Sequence, residues 1–206
     1  MNKEYFFALL PDAESEKFIM SCKHLAAEIS PDELYLADSP HLTLYVGDFF
    51  INNGLLSAAA DAGHLPLAAR ISGWESWLSD PVTGLDTLVL AISEESAALL
   101  RLLQKNLIAE ASRQRRRPFI SRYLEQKTFT ADMKYSIQEW GYPFTGLFWK
   151  PHLTIASFRP DIYKKIMPLL LEKNPPHTVL FSEIALFEIT PGKPKEIFRT
   201  GGSRHA

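Results

Sequence analysis

The sequence holds a single cysteine, Cys22, so it can form no intrachain disulfide and no cysteine-based metal cluster. Cys22 is expected as a small apolar residue on a helix. No stretch approaches the roughly 18 apolar residues of a membrane span. The apolar opening at 5–10 stops at Pro11 and Asp12, too short for a signal-peptide core and without a cleavage pattern. The chain is therefore expected to be cytoplasmic, with no membrane partner. A basic excess is also missing, since the formal net charge is −2. Proteins that coat duplex nucleic acid draw their affinity from phosphate neutralisation, so that class is disfavoured. A small anion held in one local site stays compatible. Apolar residues make up 46% and charged residues 22%, which excludes a disordered or fibrous chain.

The 206 residues fit one large compact domain or two small lobes. Tyr5-Phe6-Phe7-Ala8-Leu9-Leu10 reads as a buried strand closed by Pro11. Asp12 can cap a helix with Phe18, Ile19, Cys22, Leu25, Ala26 and Ile29 at helical spacing, ended by Pro31. The patterns predict further strands at 42–49, 65–71, 87–92, 153–158, 179–189 and, shortest, 197–199. Helices are predicted at 54–62, 94–112 and 161–172. Between 113 and 150 the pattern turns irregular, rich in arginine and aromatics, and reads as a long connection with partial structure. Strand, helix, strand recurs in both halves, which argues α+β with antiparallel sheet rather than a doubly wound parallel fold.

Two segments repeat: Pro40-His41-Leu42-Thr43-Leu44 and Pro151-His152-Leu153-Thr154-Ile155. One His-x-Thr carries little weight, because any histidine can have a threonine two places on. Two copies, each after a proline and each at a predicted strand, are harder to dismiss as satisfied strand histidines beside β-favouring threonines. Strand side chains alternate, so His41 and Thr43 share one face while Leu42 and Leu44 share the other. His152 and Thr154 stand likewise against Leu153 and Ile155. If the halves pack as related lobes, the two His–Thr pairs can face each other across a cleft.

That set suits chemistry at phosphorus. Imidazole titrates near pH 6.5, so one neutral and one protonated ring can coexist near neutrality. The neutral ring can take a proton from the attacking oxygen and the charged ring can give one to the leaving oxygen. Threonine hydroxyls can donate to the non-bridging oxygens. The symmetric motifs leave open which histidine is base and which is acid.

The paired motifs resemble those of the 2H phosphoesterase superfamily, which includes the so-called 2′-5′ RNA ligases and cyclic nucleotide phosphodiesterases. Phe7-Ala8-Leu9-Leu10-Pro11 resembles the family's first strand and Phe181-Ser182-Glu183-Ile184-Ala185-Leu186-Phe187 its last long one. The resemblance implies a single bilobal, pseudo-twofold domain over 1–206 with the active site between lobes. It implies His41, Thr43, His152 and Thr154 as the catalytic set, with no cofactor and no metal. The implied activity is cleavage of a 2′,3′-cyclic phosphate or 2′-linked phosphodiester on a nucleotide or RNA end. Alternatives are a non-catalytic module binding nucleotides or RNA ends, or an enzyme degrading cyclic or 2′-5′ oligonucleotide signals. The 113–150 connection matches no family pattern.

Weaker signals surround the motifs. Tyr45 is expected on the face of His41 and Thr43, one step further along the strand, Trp149 precedes the second motif and Arg159 follows it, and each is a candidate for contacting substrate. Lys150 sits beside them. Arg113, Arg115, Arg116 and Arg117 form a basic run that can grip single-stranded RNA or simply solvate a helix end. His24, His64, His177 and His205 have no partner at ligand spacing, so no metal site is expected. The chain is expected to be a monomer. Hydrolysis of a 2′,3′-cyclic nucleotide should persist in excess EDTA. Activity lost to the chelator and restored by a divalent ion would contradict a two-histidine mechanism.

Overall fold

The computed structural model describes residues 3–62, 65–116, 123 and 126–200. Two halves share one pattern. The first runs β1 (Tyr5–Pro11), α1 (Ala13–Ile29), β2 (Leu42–Gly47), α2 (Asn53–Asp61) and β3 (Leu67–Trp77). The second runs β4 (Asp86–Ile92), α3 (Glu94–Ala111), α4 (Ala131–Trp140), β5 (His152–Phe158), α5 (Pro160–Leu171) and β6 (Thr178–Glu188), followed by β7 (Lys195–Arg199). Without α4 each half is strand, helix, strand, helix, strand. All strand pairs are antiparallel, in the order β2-β1-β6-β3-β4-β5 with β7 on β6. Each half thus lends its third strand to the other, since β3 pairs with β4 and β6 with β1. The class is α+β, as the pattern predicts.

Local chemistry explains the boundaries. Asp12, Asn52, Ser93 and Thr130 each accept backbone N–H bonds at the first turns of α1, α2, α3 and α4. Gly141, at φ 76°, closes α4 in the left-handed conformation that glycine adopts without penalty. That helix lies inside the stretch expected to be irregular. Met133, Ile137 and Trp140 recur at helical spacing between the Thr130 cap and Gly141, but this short row sits among the aromatics of an otherwise irregular stretch. β3 runs six residues beyond its predicted end. Gly73, at φ 132°, reads as a break but sits at a register shift where β3 leaves β6 and takes β4 as partner. No helix among the described residues is long and apolar enough to cross a membrane.

The two motif strands, β2 and β5, are the ends of the strand path, yet they come together. Each also carries one extra residue after its motif. Phe7 and Ala8 face Tyr45 and Thr43, skipping Leu44, while Val89 and Leu88 face Thr154 and Ala156, skipping Ile155. Packing crosses between halves, because α1 lies against β5 and α3 against β2. Buried Gln104 on α3 donates from Nε2 to the Leu44 carbonyl at 2.8 Å and the Phe144 carbonyl at 3.0 Å. Gln104→Leu should leave both acceptors unpaired and cost about 1–3 kcal/mol of stability. Urea denaturation measures this, and an unchanged midpoint would mean that water replaces the amide.

Candidate active site

Leu42, Leu44, Leu153 and Ile155 are fully buried, while His41, Thr43, His152 and Thr154 are half-buried and line one cavity of about 430 Å³. That volume lies in the range of small-molecule sites. The walls come from equivalent places in the two halves, the connections that follow α1 and α3. The first supplies Tyr35, Asp38 and Ser39, and the second supplies Tyr142, Phe144, Phe148 and Lys150. The long irregular stretch therefore supplies one part of the cavity wall.

The histidines are held alike. His41 Nδ1 lies 2.8 Å from the Ser39 carbonyl and His152 Nδ1 2.7 Å from the Lys150 carbonyl, in each case two residues back across a proline. A carbonyl only accepts, so Nδ1 carries the hydrogen and Nε2 of the neutral ring carries the lone pair. Aromatic rings brace both imidazoles. Phe6 lies 4.9 Å from His41 between ring centres, and Trp77 lies 4.4 Å from His152, nearly perpendicular. Neither threonine hydroxyl has a hydrogen-bond partner among the described residues, which leaves both available as donors into the cavity.

The electrostatics are less symmetric than the geometry. Burial holds the His41 imidazole down to about 4, opposed by the Ser39 carbonyl and reinforced by the positive charge of Lys23 and by His152. Burial also lowers His152, but the Lys150 carbonyl and the carboxylates of Asp80 and Glu75 pull it back up. Lys23 is a buried cation lining the cavity. Its Nζ donates to the Tyr35 carbonyl at 2.5 Å, and burial pushes it down to about 8 against the pull of Asp38. Asp80 anchors its own turn, accepting from Val82 N and from Thr87 Oγ1 at 2.8 and 2.9 Å. The charge of Lys23 thus weighs against the His41 imidazolium, and those of Asp80 and Glu75 weigh in favour of the His152 imidazolium.

The fold resembles known structures. No family model and no curated protein matches the chain. E. coli LigT in its apo form superposes with a TM-score of 0.51 and 17% identity, over 96% of this chain and 95% of that one. The fold is that of LigT. LigT complexed with 3′-AMP (TM-score 0.49, 18% identity, 97% of both chains) and Kluyveromyces marxianus Usb1 (0.45, 12%, 90% and 93%) also match.

The remaining candidates are distributed differently. Trp149 lines the cavity but is buried, and its Nε1 donates to the Thr43 carbonyl at 3.1 Å. Tyr45 is turned into the core, where its hydroxyl donates to the Trp140 carbonyl and its ring meets Phe49 and Tyr142. The extra residue at Leu44 breaks the alternation that would have aimed Tyr45 at the cavity. Arg159 is held outside the cavity by Glu33, 2.9 Å away, and by Ser30. Arg113 pairs with Glu110, Arg115 bridges to Phe49, and Arg116 meets Asp48 and the Phe50 ring. None of these three reaches the cavity, and Arg117, like His64 and His205, lies outside the described residues.

Lys23, Asp38, Trp77 and Asp80 went unnoticed in sequence. Lys23 alone left a trace, for it falls within the buried set Ile19, Cys22, Lys23, Ala26, a charge on an apolar helix face. Among the described residues no cluster of histidine, cysteine and carboxylates is arranged to hold a metal. The depressed imidazoles link stability to pH. The unfolded chain protonates His41 near 6.5 and the folded chain only near 4, so this contribution is intact above 6.5 and lost as pH falls toward 4. His41→Gln should lose less stability than wild type between pH 7 and pH 4.5. Parallel losses in urea midpoints would show that His41 is not depressed.

Proposed function

We propose that this chain is a metal-independent phosphodiesterase, with His41 as general base, His152 as general acid, and a 2′,3′-cyclic phosphate or 2′-linked phosphodiester as substrate. One observation carries the reading: two Nδ1–H···carbonyl contacts free two Nε2 atoms in a single cavity that also holds two threonine hydroxyls without a partner among the described residues. On a cyclic phosphate, His41 Nε2 takes a proton from water as its oxygen bonds to phosphorus. The ester bond to the leaving ribose oxygen breaks, and His152 Nε2–H delivers a proton to that oxygen. Thr43 and Thr154 donate to the non-bridging oxygens as charge gathers there. The product is a phosphomonoester.

The assignment of roles rests on charge. A base must be neutral before it acts, and Lys23 beside His41 disfavours the imidazolium. An acid must be charged, and Asp80 and Glu75 favour the imidazolium of His152. In both states the backbone carbonyl keeps its Nδ1 hydrogen, so each proton moves through Nε2.

Alanine at either threonine removes one donor and should lower the rate about 10²–10³-fold, and alanine at either histidine at least as much. An aryl phosphodiester, whose leaving group needs no proton, should partly restore turnover in His152→Ala and not in His41→Ala. Rescue of His41→Ala instead would reverse the roles. Retained nucleotide affinity without turnover of any substrate would make the cleft a binding site.

A further inference from the structure

Beyond the cavity of the two histidines lies a second one, of about 500 Å³, that shares a wall with it. Tyr35, Asp38, Tyr123 and Val82 line both. The second is completed by Leu34, Thr83, Gln126 and Thr190, from the connection after α1, the β3–β4 turn, the long connection before α4 and the segment after β6. Resting on the phosphodiesterase reading, we propose that this second cavity is a nucleoside subsite. It takes the nucleoside next to the one whose phosphate reacts, so the substrate is an RNA end of at least two nucleosides.

The chemistry of the walls selects a neutral ring system over another phosphate. Leu34 and Val82 supply apolar surface, Tyr35 and Tyr123 supply aromatic rings, and Thr83, Gln126 and Thr190 supply uncharged polar groups. The one charged lining residue is Asp38, an anion, which repels phosphate and accepts from a ribose hydroxyl or a base amine. The residue is 9% exposed with no side-chain hydrogen-bond partner among the described residues, and burial pushes its carboxyl up against the pull of Lys23 and Lys193. A carboxylate on that wall can accept from a substrate hydroxyl or amine.

The backbone at the shared wall is also held in place. Tyr35 has φ 69°, a conformation that costs a bulky residue energy and persists where its surroundings enforce it. The bond from Lys23 Nζ to the Tyr35 carbonyl is one such restraint. It ties the residue that divides the two cavities to the cation beside His41. The first cavity carries the phosphate chemistry, and the adjoining neutral, aromatic space continues along the substrate.

The test compares uridine 2′,3′-cyclic phosphate with adenylyl-uridine ending in the same cyclic phosphate. Wild type should show a kcat/KM about tenfold higher for the dinucleotide, the scale of one stacked base. Thr83→Trp fills the second cavity from a half-exposed turn outside the reacting centre. It should abolish that advantage and leave mononucleotide kinetics within about twofold. Equal kcat/KM for both substrates in wild type, or equal losses for both in Thr83→Trp, would overturn the subsite. Should neither compound turn over, the phosphodiesterase reading fails separately. Calorimetric affinities for uridine 3′-phosphate and its adenylyl dinucleotide then still decide the subsite. A tighter dinucleotide that Thr83→Trp weakens supports it, and equal affinities overturn it.

Discussion

Edge strands leave backbone carbonyls without ladder partners, and here that need is met from the opposite half of the molecule. β2 ends the strand path and is kinked by an extra residue, so the carbonyls of Thr43 and Leu44 cannot be served within its own sheet. Trp149 Nε1 bonds the first and Gln104 Nε2 the second, both from the second half. On the other side, Leu34 exchanges both backbone bonds with Ser157 of β5. These cross-links hold the two edge strands together, and a shared cavity requires that they be held. Trp149 thus serves the site as structure, fixing the strand that carries Thr43.

From that constraint follows the preorganisation of the histidines. Each ring is set by a carbonyl two residues back, and the intervening Pro40 or Pro151 restricts φ and supplies no competing N–H. The imidazoles need no large side chain of their own half to select a tautomer. What differs between them is imported: Lys23 reaches His41 from the buried face of α1, while Asp80 and Glu75 reach His152 from the turn and strand around β3. Near-symmetric geometry with unlike charge surroundings is an arrangement that separates an acid from a base.

Most strands and helices were legible because their signals are local. Asp12, Asn52 and Ser93 mark helix starts, and apolar periodicity marks the faces. The misses have non-local causes. The strand predicted to end at 71 runs on to 77, because nothing nearby in sequence announces that β3 changes partner at Gly73. α4 is only ten residues long, and its apolar row of Met133, Ile137 and Trp140 is masked by the aromatics around it. Strict alternation puts Tyr45 beside His41, which one extra residue cancels, and nearness to the second motif puts Arg159 at the substrate, where Glu33, far off in sequence, keeps it away.

By itself the sequence determined that two His-x-Thr units stand on strands with their leucine and isoleucine partners turned into a core. Period-two alternation is a property of the backbone and needs no partner to be read. Tertiary structure decided everything that depends on what those strands meet. It brought the two path ends together, turned Tyr45 and Arg159 away, and drew Trp149 into a supporting bond. It also set a lysine against one histidine and carboxylates against the other. Distances across a fold, and the dielectric in which charges act over them, exist only once the chain has closed.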